Sequence, residues 1–199
     1  DWQDEIYRTA VSSDHNITIQ GGTKHMPYRA SIGYTGDRGI LKTSEFRRTT
    51  ASFNLSPSVA DDHLKINLTG KYMFAESRLK DGSPQGADTG WLYTLNSQGT
   101  KNPVSLLNLK RDEAGSHDFM GNAEFDYSIH HFEDLHLHVN LGGEFATGKQ
   151  DTKTSPYSPD GFYFGWDGWD KIVKYNLQLN TYAQYSHNWN RKHEFNIMA

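Results

Sequence analysis

The chain has 199 residues, 35% of them hydrophobic and 13% aromatic, with no cysteine and a formal net charge of −4. That length suits one good-sized domain; the lack of cysteine excludes a disulfide framework and thiolate chemistry, and an acidic balance with no basic stripe argues against a nucleic-acid partner. No apolar run reaches the roughly 18 residues of a membrane helix, which leaves open a transmembrane β-barrel, whose apolar residues occupy every second position and whose average stays polar.

Period-two patterning predicts eight strands. The first, at 15–21, sets Ile17 and Ile19 against Asn16, Thr18 and Gln20. The second and third follow at 27–36 and 45–56. The fourth, at 63–79, places Leu64, Ile66, Leu68, Gly70, Tyr72 and Phe74 opposite Lys65, Asn67, Thr69, Lys71 and Met73. The fifth, at 118–130, sets Ala123, Phe125, Tyr127 and Ile129 against Asn122, Glu124, Asp126 and Ser128. The sixth, at 135–149, is the most regular: in "DLHLHVNLGGEF", Leu135, Leu137, Val139 and Leu141 alternate with His136, His138 and Asn140, and Glu144 falls on the polar side. The seventh, at 171–188, opposes Tyr175, Leu177, Leu179, Ala183 and Tyr185 to Asn176, Gln178, Asn180 and Gln184. The eighth occupies 193–199. Helical periodicity is weak throughout, and the abundance of Gly, Asn, Thr and Tyr suits strands and turns.

Several of these strands run past the ~9–11 residues that cross a membrane, whereas a globular strand averages about 5–6. The links are short at 22–25, longer at 36–44, short at 57–62, very long at 80–117, short at 131–134, long at 150–170 and short at 190–192. In an up-and-down meander, alternate links lie at opposite ends of the sheet, so one rim collects short turns and the other long loops, as in outer-membrane barrels. Tyr28, Phe132, Trp189 and Phe195 fall near the short-turn ends, where an interfacial aromatic girdle would sit. The stretch 80–117 is too long to be idle in a compact domain. There is no low-complexity segment and no domain boundary. Asp1 is not a start residue and residues 195–199 stop inside a strand, so the expectation is a piece of a longer polypeptide.

The patterning admits two environments. In a soluble β-sandwich the apolar face packs a core; in a membrane barrel it meets lipid and the polar face lines the lumen. Periodicity does not separate them, but strand length, loop alternation and aromatic placement favour the barrel. The fold expected is therefore all-β, an antiparallel up-and-down meander of about eight strands within a large transmembrane β-barrel. The alternatives are a soluble β-sandwich carbohydrate-binding module and a small complete barrel of eight strands.

Candidate chemistry is thin. Among ten histidines, His136 and His138 share a strand face with His130 and His131 close by, but no cysteine and no evident third and fourth ligand complete a metal set. Glu124, Asp126 and Glu144 supply carboxylates, yet a glycosidase needs a pair at a set separation with one pKa raised, and polar lumen walls contain such pairs by chance. Gly21-Gly22-Thr23 reads as a hairpin turn rather than a phosphate loop, and no nucleophile elbow appears. The expectation is a non-enzyme with no catalytic residue, no metal and no cofactor. Lys65, Lys71, Glu124, Asp126, His136, His138 and Glu144 are expected to face the lumen. The segment "SPYSPDGFYFGWDGWD" is the candidate ligand- or partner-binding loop, through Tyr157, Phe162, Tyr163, Trp166, Asp167 and Trp169; aromatic faces suit sugars and are frequent anchors in protein interfaces. Trp91 and Tyr93 form a weaker second candidate.

Several stretches resemble the SusC/RagA-type TonB-dependent transporters of the Bacteroidota outer membrane: Asp1-Trp2 leading to Ile6, "HNITIQGGT", "YRASIGYTGDRGILK", "NLSPSVADDHLKINL", "NPVSLLNLKRD", "FEDLHLHVNLG", "SPYSPDGFYFGWDG" and "KHEFNIMA". They cover nearly the whole chain in order. The resemblance implies an outer-membrane location in a Gram-negative bacterium and a 22-stranded barrel with a plugged lumen. It implies import of oligosaccharides or peptides, a SusD-like surface lipoprotein over the mouth, and TonB acting through an N-terminal box. On that basis residues 1–199 are part of the barrel, without the plug or the remaining strands, and eight strands of 22 would leave two open sheet edges.

Overall fold

The alternation in the sequence becomes one continuous ladder in the computed structural model, which describes residues 2–79, 103–157, 164–189 and 193–199. After a short 3₁₀ turn at Trp2–Glu5 come β1 (Val11–Thr23), β2 (Met26–Arg38), β3 (Glu45–Leu55), the two-residue β4 (Ser58–Val59) and β5 (Leu64–Leu79). A two-turn helix, α1 (Pro103–Leu109), precedes β6 (Lys110–Ser128), β7 (Leu135–Thr154), β8 (Trp166–Trp189) and β9 (His193–Met198). The sheet order is β1-β2-β3-β5-β6-β7-β8-β9, every neighbour antiparallel, with β4 paired only to β5. This is the antiparallel meander expected from patterning, with one small strand added inside a turn. Among the described residues the outer sides of β1 and β9 carry no partner strand.

Register is unbroken, so rows of residues run straight across the sheet on one face. One row reads Ile17, Ile32, Ala51, Tyr72, Phe119, Phe145 and Tyr175. Another reads Tyr28, Leu55, Leu68, Ala123, Leu141 and Leu179. The adjacent row on the opposite face reads Thr18, Ser31, Ser52, Lys71, Met120, Glu144 and Asn176. Because side chains alternate strictly along a strand, each of these rows keeps to one face across the sheet.

Among the described residues nothing covers the apolar face. Leu177 is 81% exposed and Tyr175 83%, and the only buried hydrophobic residues among those described are Ile6 and Leu107. A sandwich would bury this face beneath a second sheet, and no described strand lies on it, so the sandwich alternative fails. The eight-stranded closed barrel fails too, because β1 and β9 do not pair. Ile6 and Leu107, with Tyr7 and Val104, form a small cluster where α1 meets the N-terminal segment. That segment is pinned to the β2–β3 link through Arg8 N to Ile40 O (2.8 Å), Lys42 N to Ile6 O (2.9 Å) and Arg8 Nε to Gly39 O (3.1 Å).

Three boundaries differ from the patterning by five residues or more. β6 begins at Lys110 rather than 118, β7 continues to Thr154 rather than 149, and β8 begins at Trp166 rather than 171. These extensions have no continuous apolar phase on either face, so they lack the alternation by which a strand is recognised; backbone pairing and cross-strand ion pairs such as Lys153–Asp167 (3.0 Å) carry the sheet past the point where that signal stops. The second and third links also reverse the expected lengths. The β2–β3 link is 39–44, and the β3–β5 link is the longer 56–63, which contains β4. Its tip bends through Ala60, Asp61 and Asp62 at φ of 55°, 54° and 67°.

Candidate functional site

The polar face brings together all seven residues expected on it. Lys65, Lys71, Glu124, Asp126, His136, His138 and Glu144 all have cross-strand partners that place them on one side of the sheet. Three groupings arise. Glu124 accepts hydrogen bonds from Asn67 Nδ2 (3.1 Å) and Asn140 Nδ2 (3.4 Å), and Asn54 and Ser56 extend the chain to Asn67 (3.1 and 3.2 Å). Glu144 pairs with Lys174 (2.9 Å). Asp126 lies between His136 and His138, its oxygens 3.0 and 3.4 Å from their Nδ1 atoms. Lys174 was not singled out in the sequence; its place two residues before Asn176 on the polar phase of β8 was the available signal.

The aromatic segment is divided by the register. Tyr157 lies in the β7–β8 link and is 86% exposed. Trp166, opposite Thr154, is on the polar face, whereas Asp167 and Trp169, opposite Lys153 and Asp151, lie on the apolar side. Phe162 and Tyr163 lie outside the described residues, as do Trp91 and Tyr93.

The apolar face has edges. Toward the short-turn rim, the Phe132 and Tyr185 rings stack at 5.7 Å, and Phe195 lies 6.3 Å from Tyr185 and 6.4 Å from Trp189. Toward the other rim, Tyr72 and Phe74 flank His117, with Tyr72 Oη 2.7 Å from His117 Nδ1 and the Phe74 ring 4.7 Å away. About ten residues of β8 separate Tyr185 from Tyr175; at about 3.3 Å per residue and a tilt near 40°, that is a band of about 25 Å. Beyond the second aromatic row the same face turns charged, with ion pairs Arg47–Glu45 (2.7 Å), Arg111–Glu113 (2.7 Å), Lys149–Asp151 (2.8 Å) and Lys153–Asp167 (3.0 Å). Of these, Glu45, Arg47, Glu113, Lys149 and Asp151 line a groove of about 870 Å³ together with Glu76, Arg78, Trp169 and Lys171. Exposed pairs of this kind stabilise little; they mark where the apolar band ends. At the short-turn rim, the hydrogen bond from Ser58 holds the Asp62 carboxyl below its usual pKa, and the charges of His25 and Lys24 add to the effect.

An open meander with a bare apolar band between two aromatic rows, and a polar opposite face, is a segment of a transmembrane β-barrel wall. Comparison with known proteins narrows the class. The sequence is 44% identical over 220 aligned residues to the TonB-dependent receptor SusC of Bacteroides thetaiotaomicron, covering 93% of this chain and 22% of SusC. The TonB-dependent receptors P26 and P3 of Formosa agariphila are each 24% identical, covering 84% and 92% of this chain and 18% and 20% of their own. No family model matches. Among solved structures, the RagAB peptide importer in its closed-closed state superposes on the whole chain with a TM-score of 0.83 at 19% identity, covering 24% of that chain. Its open-open state gives 0.81 at 18% identity. Over 93% of its length the chain is thus similar to a TonB-dependent receptor of SusC type, and its fold is that of a segment of the RagAB importer. It spans about one fifth of the length of the curated relatives it matches.

Proposed function

We propose that these 199 residues form part of the barrel wall of an outer-membrane importer, driven by TonB, that takes up oligosaccharides or peptides. The observation that carries this is the bare apolar face: register aligns it across eight strands, aromatic rows bound it on two sides, and its height matches a bilayer. Lipid is the solvent such a face requires. The polar face then lines the lumen, where Lys65, Lys71, Glu124, Asp126, His136, His138 and Glu144 would meet the plug or the passing substrate. In this reading residues 1–199 are one portion of the barrel, with the plug, the TonB-contacting segment and the other strands outside them.

The chain does no bond chemistry in this reading; its task is selective passage. The β7–β8 link, with Tyr157, Phe162 and Tyr163 in its sequence and Trp166 at its exit, would contact the substrate or a SusD-like lipoprotein at the mouth. Asp167 and Trp169, on the other face, would sit at the outer lipid boundary. The likeness of fold to the RagAB peptide importer supports a peptide, and the aromatic side chains of the β7–β8 link suit a sugar, so both substrate classes stand.

The test is a denaturing gel of a membrane extract, run heated and unheated. The expected result is a species far larger than 22.7 kDa whose mobility changes on heating. A water-soluble species of that mass, indifferent to heating, would overturn the assignment.

A further inference from the structure

The cluster on the polar face at the short-turn rim has a chemistry that neither the barrel nor transport requires. Asp126 on β6 is the direct cross-strand partner of His138 on β7, and His136 is the partner of Ser128, so the ladder itself sets the carboxylate between two same-face imidazoles. One ligand atom from each of the three residues can be chosen so that all lie within 4.8 Å of one another. Two of the spacings, 3.0 Å from His136 Nδ1 and 3.4 Å from His138 Nδ1 to the carboxylate oxygens, are close to what one ion demands. Ligands held at about 2.0–2.1 Å in a tetrahedron are roughly 3.3–3.4 Å apart.

The rings are held as well as placed. His138 stacks on Tyr182 with centroids 4.4 Å apart and planes 18° from parallel, and the two imidazoles lie 6.1 Å apart and 17° from parallel. All three residues are half-buried. Beside them is a space of about 260 Å³, bordered by Asp126 and His136 and by Asp61, Asp62, His63 and Glu133 of the two flanking turns. His63 Nδ1 is buried there without a hydrogen-bond partner among the described residues.

We propose that Asp126, His136 and His138 bind a divalent transition-metal ion, zinc(II) being the type case, with a coordination position open toward this space. Two imidazoles and one carboxylate suit zinc, nickel or copper, whereas calcium and magnesium require six or more oxygen ligands. The ammonium of Lys65, across β5 from Asp126, further disfavours a site held by charge alone. Three protein ligands with one position free describe an open site rather than a closed structural one. The ion would clamp β6 to β7 at the rim while remaining able to accept water or a further side chain.

The test uses the full-length receptor, purified in detergent, stripped with chelator and titrated with zinc(II) alone by calorimetry and metal analysis. Single variants Asp126→Asn, His136→Gln and His138→Gln are compared with His117→Gln, a histidine on the opposite face. The proposal expects one zinc bound tightly enough to survive desalting, an affinity lowered at least about tenfold by each cluster variant, and no change from His117→Gln. Cobalt(II) on the wild type should give the intense visible bands of a low-symmetry, four- or five-coordinate site, and lose them in Asp126→Asn. Heat-dependent gel mobility reports folding of each variant separately. Absence of zinc from the wild type, or retention by folded cluster variants at wild-type affinity, overturns the proposal and leaves a hydrogen-bonded Asp–His cluster. Neither result touches the transport assignment, which rests on the apolar face.

Discussion

Gly70 shows how much a single residue depends on register. It lies in the apolar phase of β5, where its neighbours are Leu68 and Tyr72, and its cross-strand partners are Phe53 on β3 and Gly121 on β6. A Cβ at Gly70 would overlap the Phe53 ring, which lies across the glycine. The aromatic ring thus supplies the surface that the glycine lacks, a device that also pins strand pairing. Gly70→Val should therefore push Phe53 off its position and destabilise the barrel by about 1–3 kcal/mol, the usual range for overpacking. In a Phe53→Ala background the same change should cost much less, and a double-mutant cycle from urea unfolding of the detergent-solubilised receptor would measure the difference. Equal costs in both backgrounds would mean that the ring is not the obstacle. The sequence placed Gly70 on the apolar face; it could not reveal Phe53 above it, because that contact follows from which residue of β3 sits opposite, and no residue pattern within one strand specifies its partner.

Elements are legible where one face is apolar and illegible where neither is. The core of β7 was read in full because Leu135 through Leu141 alternate with polar residues without error. Its last five residues were not, since Gln150-Asp151-Thr152-Lys153-Thr154 offers no apolar phase. The same loss of signal hid the start of β8, and with it the fact that Trp166 and Trp169 lie on opposite faces. Had the strand been extended to 166, the odd–even spacing of the two tryptophans would have separated them. The metal-type cluster was half visible: His136 and His138 are neighbours in one strand, but Asp126 enters only through the β6–β7 register. The β3–β5 turn was misjudged for a different reason. Residues 60–62 all adopt positive φ without a glycine, so the usual turn signal is missing. An alanine in the left-handed region costs roughly 1–2 kcal/mol, and replacing it with glycine recovers part of this, offset by about 0.4–1 kcal/mol of unfolded-chain entropy. Ala60→Gly should leave stability equal or raise it by up to about 1 kcal/mol, while Ala60→Val, with a branched side chain ill-suited to that region, should lower it. Thermal unfolding of the two variants gives the order; a valine tolerated as well as the alanine would show that the turn does not hold Ala60 at positive φ.

For the whole molecule the question is what touches the apolar face, and position along the barrel axis sharpens it. Leu68 and Val139 belong to adjacent rows midway between the two aromatic bands, the first in the row of Leu141 and Leu179 and the second beside Phe125 and Thr181. If lipid covers this face, an arginine at either position meets the bilayer near its midplane, where the cost is about 2–4 kcal/mol and falls to about 0–1 near the interfaces. The two sites lie on strands separated by β6, far enough apart for their costs to add approximately. Leu68→Arg and Val139→Arg should each reduce heat-modifiable receptor in outer-membrane fractions, and the double variant should nearly abolish it. Arginine at Thr69 or Gln178, one residue from these rows in sequence but on the polar face, should assemble close to the wild-type level because there it meets water. Depth separates lipid from protein as the neighbour: a packed core would penalise arginine at Leu68 and Tyr185 alike, whereas a bilayer should tolerate Tyr185→Arg at the aromatic rim far better. A double variant that assembled normally would remove lipid from the apolar face, and with it the basis for assigning the polar face to the lumen.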